Sequence, residues 1–248
     1  METEGSGASR AGGEGIHNED AYLVEEGMGL YVVCDGASNA SAGEIAAGIA
    51  TEALEEFVAR SDEELDLRWG WIARPFVAEA MTFAMASVRD AERNNPELRG
   101  LATTVTMLLT HGNIGIIGHR GDSRAYLFRY GRAHQLTVDH ELTEAAGNGG
   151  DGEVDCDVFA IDLKPGDTIV LCTDGAEQVI EDEAIARAVA TLSPRLLASR
   201  IVGAAHRFNP ECDATAVVVR LRRENERGWI GLSDRPRGTT FGHTLEYA

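Results

Sequence analysis

Five aspartates lie where apolar, strand-like stretches of this sequence meet loops. Asp20 precedes "AYLV", Asp35 follows "YVVC", Asp122 lies in "HRGDSRAY", Asp174 follows "TIVLCT" and Asp213 precedes "ATAVVV". A single aspartate at such a place is most often a turn or capping residue. Five with the same placement predict carboxylates gathered at one rim of a sheet core. There they repel one another and are costly to desolvate unless cations lie between them.

The donor types narrow the kind of cation. Ligand sets made of oxygen atoms favour hard divalent ions, Mg²⁺ or Mn²⁺. A zinc site would need Cys or His at regular spacing, whereas the seven histidines are scattered and the four cysteines form no CxxC pair. Gly36 follows Asp35, so its carbonyl could reach a metal that a Cβ would hold away, although an ordinary Asp-Gly turn is the alternative interpretation. Spacing alone predicts a carboxylate metal site without specifying a reaction.

The elements that must position these acids can be read from periodicity. Strands are expected near 21–24, 30–34, 158–163, 168–172 and 214–221, and helices at 41–59, 75–92, 182–192 and 194–208. Ser41 is a plausible N-cap for the first helix. Residues 103–137 contain four strand-like runs split by "HGN", "RGD" and "YGR", a pattern typical of an antiparallel meander. Strands from both ends of the chain with helices between them predict one α+β domain.

Composition excludes some classes of partner. The 248 residues hold 22 Lys and Arg against 41 Asp and Glu, a formal charge of −19. So acidic a chain repels phosphate backbones and anionic lipid, so we expect neither nucleic acid nor membrane as a partner. Three of the four cysteines lie in apolar, strand-like runs, and the polar N-terminus does not resemble a signal peptide. We therefore expect a reduced, cytoplasmic setting.

Eight short motifs, in order, resemble the metal-dependent serine/threonine protein phosphatases, known as the PPM or type-2C family, of bacterial type. Each is weak alone, but together they span about residues 12–221: "NEDAY" (18–22), "VVCDG" (32–36), "AGEIAA" (42–47), "ATTV" (102–105), "GDSRAYL" (121–127), "LTVDHEL" (136–142), "LKPGDTIVLCTDG" (163–175) and "DATAVVV" (213–219).

The resemblance implies an α+β fold with four layers, α-β-β-α, in which two central antiparallel sheets are flanked by helices. It implies two Mn²⁺ or Mg²⁺ ions at one rim, with a weaker third. Asp35 would bridge both ions and act with Asp174 in catalysis, and adjacent strand positions make one of Glu19 and Asp20 an outer partner rather than a ligand. The implied metal-binding residues are Glu19, Asp20, Asp35, Gly36, Asp174 and Asp213, with Asp122 for the third ion.

The same resemblance implies a reaction and a substrate class. Two ions about 3.5–4 Å apart lower the pKa of a bridging water, which attacks the phosphorus of a phosphoserine or phosphothreonine ester. The expected partner is a phosphorylated protein, such as a kinase-pathway or regulatory phosphoprotein, and the expected state is a monomer. We expect the phosphatase domain at residues 1–221, with residues 1–11 loose, and a separate C-terminal tail at residues 222–248.

Three departures from the family pattern leave alternatives open. Gly15 stands where relatives carry a phosphate-binding Arg, so that ligand is unknown, and Arg10 nearby is a guess. Ala37 stands where many relatives have a His that protonates the leaving group. A short segment replaces the longer flap of relatives between 142 and 158. These features favour, as alternatives to the phosphatase, a pseudophosphatase or regulatory binding module, or a phosphatase of small metabolites.

Overall fold

The computed structural model describes residues 1–13, 17–37, 42–140, 155–181, 183–223 and 240–241. For residues 61–72 and 240–241 it describes the backbone alone. Two antiparallel sheets lie face to face with helices on both outer sides, so the predicted four-layer α+β sandwich is confirmed.

The first sheet has five strands and joins the two ends of the chain. Its central strands are apolar and fully buried, as expected for strands covered on both faces. In spatial order the strands are β1 (Glu2–Arg10), β11 (Ala214–Arg222), β10 (Thr168–Cys172), β7 (Arg124–Arg129) and β8 (Arg132–Gln135).

The second sheet has seven strands among the described residues and carries the first two of the five aspartates, Asp20 and Asp35. In spatial order it contains β12 (Thr240–Phe241), β2 (Asp20–Glu25), β3 (Leu30–Ala37), β5 (Val105–His111), β6 (Ile114–Arg120) and β9 (Asp157–Asp162). The two-residue strand β4 (Ala102–Thr103) pairs with the end of β3 beyond Asp35.

Among the described residues, four α-helices cover the outer faces. They are α1 (Gly43–Asn94), α2 (Asp174–Glu177), α3 (Glu183–Val189) and α4 (Pro194–Phe208), and a 3-10 turn (Pro96–Leu98) follows α1. The prediction of separate helices at 41–59 and 75–92 was wrong, because α1 is continuous over 52 residues with Pro75 inside it. The stretch between the two predicted helices contains several Glu, Leu and Arg residues, and all three residue types have a high helix propensity. Ser41 lies outside the described residues.

Three apolar cores hold the layers together. One lies between α1 and the seven-stranded sheet, one lies between the two sheets, and one lies between the five-stranded sheet and helices α2 to α4. Tyr31 and Leu108 are fully buried in the central core. This central core ends at the rim where the predicted acids lie.

The expectation that residues 1–11 are loose was wrong. β1 pairs with β11 through nine consecutive residues, from Glu2 opposite Arg222 to Arg10 opposite Ala214. The glycines that suggested looseness have a packing role instead. A Cβ at Gly5 would collide with the ring of Tyr31, and one at Gly7 with the ring of Tyr22. β1 therefore needs small residues on its inner face to lie over two tyrosines.

The single meander predicted for residues 103–137 was also wrong. Its four strands form as expected, but β5 and β6 belong to the seven-stranded sheet whereas β7 and β8 belong to the five-stranded sheet. The chain crosses between the sheets in the turn from Arg120 to Arg124. Asp122 lies in this crossing, which places it at the rim shared by both sheets.

Two residues of the expected C-terminal tail return to the fold. Thr240 and Phe241 form the edge strand β12, opposite Val24 and Leu23 of β2. The structure describes no other residues between 224 and 248. Among the described residues, no helix is long and apolar enough to cross a membrane.

Candidate metal centre

Asp20 and Asp35 form the centre of the acidic rim. They lie directly opposite each other on the antiparallel strands β2 and β3. Side chains of directly opposed residues project from the same face of a sheet, so these two carboxyl groups lie close together. Asp20 is buried, with 4% of its surface exposed, and Asp35 is half-buried.

The carboxyl group of Asp20 is held by hydroxyl groups from the facing sheet. Thr173 Oγ1 donates a hydrogen bond of 2.9 Å to Asp20 Oδ2, and Thr173 Oγ1 itself accepts a bond of 3.0 Å from the backbone N–H of Thr215. Burial raises the pKa of Asp20 to about 7, and repulsion from Asp213 and Asp174 adds to the rise, although the hydroxyl donors oppose it. Asp20 therefore connects the two sheets beneath the rim.

Asp35 is fixed through its backbone. Its N–H donates to Thr104 Oγ1 at 2.9 Å, and its C=O accepts from Thr104 N at 2.8 Å and from Thr103 Oγ1 at 3.0 Å. Burial raises the pKa of the Asp35 carboxyl to about 9, and repulsion from Asp20 and Asp174 adds to the rise. A rigid backbone thus carries the side chain whose negative charge is the hardest to maintain without a cation.

Asp174 and Asp122 border Asp35 on the side of the five-stranded sheet. Asp174 is the exposed first residue of α2, directly after β10, and its carboxyl group is hydrogen-bonded to that of Asp35. Burial raises the pKa of Asp122, and the charge of Asp174 raises it further. Both residues therefore share the negative potential of the rim.

Asp213 anchors the segment that precedes β2. Its Oδ1 accepts a hydrogen bond from the backbone N–H of Gly12 and its Oδ2 accepts one from that of Glu19, both at 2.7 Å. Asp213 thereby ties the end of β1 to the start of β2. Each carboxylate oxygen retains a second lone pair, so these bonds leave acceptor capacity for a cation.

Glu19 lies on the opposite side of the chain from Asp20, as strand alternation requires. Its Oε1 accepts from the backbone N–H of Gly43 at 3.2 Å, and its C=O accepts from Gly36 N at 3.0 Å. Gly36 and Gly43 approach so closely that a Cβ on Gly36 would collide with the carbonyl of Gly43. The start of α1 therefore fixes both Glu19 and Gly36.

The fold thus brings the predicted acids into one electrostatic neighbourhood from widely separated parts of the sequence. Within the described residues, no three His, Cys, Asp or Glu side chains already enclose a single point closely enough to hold an ion. The donor set nevertheless fits divalent cations, because it consists of oxygen atoms and its two buried carboxyl groups have raised pKa values in the absence of a counter-charge.

The two arginines nearest the site differ in their surroundings. Arg10, the exposed last residue of β1, is two residues from Ala8, which packs on the core between the five-stranded sheet and the helices. Strand alternation places Arg10 on that outer side, whereas Ser9 faces Asn18. Arg124 contacts two carboxylates, Asp139 and Glu177. Gly15 lies outside the described residues, and the structure gives Arg10 no contact with the acids.

Sequence reasoning missed the hydroxyl groups that support the acids. Thr104 and Thr173 bond to Asp35 and Asp20, while Ser9 accepts bonds of 2.7 Å from Asn18 Nδ2 and Thr215 Oγ1. A signal was present, since "ATTV" and "LCTDG" carry threonines at or beside the strand ends. Buried hydroxyl groups there need polar partners, which are the carboxyl group of Asp20 for Thr173 and the backbone N–H of Asp35 for Thr104.

A family model places this architecture among known proteins. The model of the family described as protein phosphatase 2C matches residues 7–207, which is most of the chain. The chain belongs to the protein phosphatase 2C family. The resemblance inferred from eight short motifs is therefore confirmed.

Named members of the protein phosphatase 2C family are similar at low identity. The serine/threonine phosphatase stp of Listeria monocytogenes is 25% identical over 239 residues, covering 82% of this chain and 90% of that protein. The serine/threonine protein phosphatase PstP of Mycobacterium tuberculosis is 27% identical over 224 residues, covering 82% of this chain but 42% of that protein. The crystal structure of the PstP catalytic domain in complex with two manganese ions matches with a TM-score of 0.76 at 24% identity, covering 90% and 99% of the two chains.

Proposed function

We propose that this protein is a metal-dependent serine/threonine protein phosphatase. It hydrolyses phosphoserine and phosphothreonine monoesters with the aid of two Mn²⁺ or Mg²⁺ ions at the rim of the two sheets. The observation that carries the proposal is the pair Asp20 and Asp35, directly opposed on β2 and β3 with Asp174 hydrogen-bonded to Asp35, which concentrates negative charge at the rim. Bound divalent cations would offset it.

The proposed ligands divide by position. In this proposal Asp35 would serve both ions, Asp174 and Asp213 would complete the ligands of one ion, and Glu19 with the carbonyl of Gly36 would serve the other. Asp20 is the outer partner of the pair, because its Oδ2 accepts from Thr173 within the buried layer. Asp122, in the crossing between the sheets, is the ligand proposed for a weaker third ion.

When bound, such ions lower the pKa of a water and offset the charge of the phosphoryl group. The chain contributes rigidity to that chemistry. Thr103 and Thr104 hydrogen-bond to the backbone of Asp35 and fix it. The Asp213 carboxylate accepts from the backbone N–H groups of Gly12 and Glu19, which fixes the start of β2. Ala37 supplies no proton, so protonation of the leaving alkoxide falls to solvent in this proposal.

The proposed substrate is a phosphorylated protein, and we propose a cytoplasmic monomer that binds neither nucleic acid nor membrane. A surface with a formal charge of −19 disfavours both polyanionic partners. The pseudophosphatase alternative is less favoured, because Asp20, Asp35, Asp122, Asp174 and Asp213 repel one another at a cost that a binding module has no need to retain. The proposed domain is residues 1–221, to which β12 adds two residues of the tail.

Turnover of p-nitrophenyl phosphate with added Mn²⁺ tests the proposal. We expect Mn²⁺-dependent hydrolysis that Asp35→Ala abolishes, and hydrolysis of phosphoserine and phosphothreonine peptides in preference to sugar phosphates. Asp90→Ala is the matched control, since Asp90 is exposed on α1 and contacts Arg93 alone among its described ion partners. Mn²⁺ binding without turnover of any phosphopeptide would establish the binding module instead.

A further inference from the structure

Arg124 joins three segments that surround the candidate metal centre. It begins β7, two residues after Asp122, and its guanidinium group is mostly buried. Nε and Nη2 donate to Asp139 Oδ1 and Oδ2 at 2.8 and 2.6 Å, which is the two-pronged geometry that makes such pairs strong. Nη1 lies 2.9 Å from Glu177 Oε2 and 3.3 Å from the hydroxyl of Tyr126.

The two carboxylates on Arg124 come from segments that matter to the site. Glu177 ends the single turn of helix α2, which begins with the proposed ligand Asp174. Asp139 is followed by His140, whose N–H donates to the carbonyl of Gly121 at 2.7 Å. One guanidinium group therefore fixes the turn that carries Asp122 relative to the turn that carries Asp174.

The charges explain why such a contact is needed. Asp122, Asp139, Asp174 and Glu177 repel one another, and burial raises the pKa of Asp122 and Glu177. The positive charge of Arg124 opposes both rises. Its Nε, Nη1 and Nη2 already have protein partners, so it is poorly placed to take the role of the phosphate-binding arginine missing at position 15.

We propose that Arg124 is a positioning residue for metal binding, which fixes the turn that carries Asp122 relative to the turn that carries Asp174. This inference rests on the proposed function. It assigns Arg124 no contact with the substrate. Loss of the guanidinium group should let the two acidic turns separate, so that cation binding would have to restore their order.

The same strand supplies a matched control. Arg129 also grips one carboxylate with two prongs, donating to Asp167 at 2.8 and 2.6 Å, and its side chain is 22% exposed against 24% for Arg124. Arg129 also donates to the carbonyl of Asp162, and neither acid is among the proposed ligands. Arg129→Gln therefore removes an ion pair of the same two-pronged geometry from the same strand, away from the metal centre.

The experiment compares the full-length wild type with Arg124→Gln, Arg124→Lys and Arg129→Gln. Mn²⁺ affinity is measured by calorimetry, and Tm is measured by thermal denaturation in EDTA. The values of kcat and KM for p-nitrophenyl phosphate are measured at saturating Mn²⁺. We expect both Gln variants to lower the metal-free Tm, whereas Arg124→Gln alone weakens Mn²⁺ binding, by about 10–100-fold, as expected for loss of a partner that orients metal ligands. Arg124→Lys keeps the positive charge but lacks the two-pronged hydrogen bonding, so its Mn²⁺ affinity should be intermediate. The KM of each variant should stay near the wild-type value.

An unchanged Mn²⁺ affinity in Arg124→Gln, with a lowered Tm, would overturn the inference, because it would show a structural role alone. A raised KM at saturating Mn²⁺ with unchanged metal affinity would also overturn it, in favour of a contact with the substrate. If Arg124→Gln does not fold, Glu177→Gln and Arg124→Lys answer the same question. A wild type that binds Mn²⁺ but hydrolyses no phosphoester contradicts the proposed function while leaving the role of Arg124 testable by calorimetry.

Discussion

Asp20 and Asp35 face each other across β2 and β3, and burial raises the pKa of both carboxyl groups, with repulsion from Asp174 adding to each rise. A carboxyl group whose folded-state pKa is raised binds its proton more tightly in the folded protein than in the unfolded chain. The stabilisation that comes from this proton is fully present at a pH below the unfolded-state pKa near 3.8. It is lost as the pH rises through the folded-state pKa.

The first prediction follows from that sign. The Tm of the protein in EDTA should fall between pH 6 and pH 9, because Asp20 and Asp35 lose their protons across the range set by about 7 and about 9. Added Mn²⁺ should raise Tm more at pH 8 than at pH 6, since the proposed ligand Asp35 binds the cation in its ionised form. Thermal denaturation of wild type and Asp35→Asn checks this, and an equal pH slope for the two would contradict it.

Replacement of the buried hydroxyl of Thr173 should be costly. Thr173→Val removes the donor to Asp20 and the acceptor of the Thr215 N–H, so we expect a loss of about 1–3 kcal/mol in the free energy of unfolding. Urea denaturation at pH 7 gives the value. Thr191→Val, at an exposed position, should change it by less than about 0.5 kcal/mol. A loss no larger than that of the control would show that the hydroxyl group does not support Asp20.

Two glycine substitutions should have opposite effects. Gly36→Ala should destabilise the protein and weaken Mn²⁺ binding, because the new Cβ would collide with the backbone carbonyl of Gly43. Gly203→Ala, inside α4 with no atom closer than 3.7 Å to the new Cβ, should stabilise it by up to about 1 kcal/mol. Chemical denaturation of both variants provides the comparison, and a stable Gly36→Ala with normal Mn²⁺ affinity would contradict the first expectation.

The packing role of β1 gives a further test. Gly7→Ala places a Cβ against the ring of Tyr22 in the central core, so we expect a loss of about 1–3 kcal/mol from overpacking. Gly27→Ala in the turn between β2 and β3 should be nearly neutral, because its nearest neighbour is the flexible end of Glu25 at 3.1 Å. A neutral Gly7→Ala would mean that β1 lies less closely on the tyrosines than the structure shows.

The positions of the acids could be predicted because the residues next to them in sequence indicate where a buried strand ends. Asp35 follows four apolar residues, and a carboxyl group at the end of a buried strand is informative without any tertiary structure. The glycines of β1 could not be interpreted in this way, since their partners Tyr22 and Tyr31 come from another sheet. The same holds for the crossing at Asp122, because a turn between strands looks alike in sequence whether the next strand joins the same sheet or the facing one. Thr173 was missed because a hydroxyl group gains its meaning from Asp20, which is 153 residues away.

The pairing of β1 with β11 has a consequence for how the protein is made. Residues 2–10 leave the ribosome well before their described strand partner, residues 214–222. Contacts so distant in sequence carry a large loop-closure cost and form late in folding. Asp213 immediately precedes that last strand, so a nascent chain holds an incomplete site until almost all of the domain has emerged. Translation products that end before β11 should therefore lack the proposed phosphatase activity.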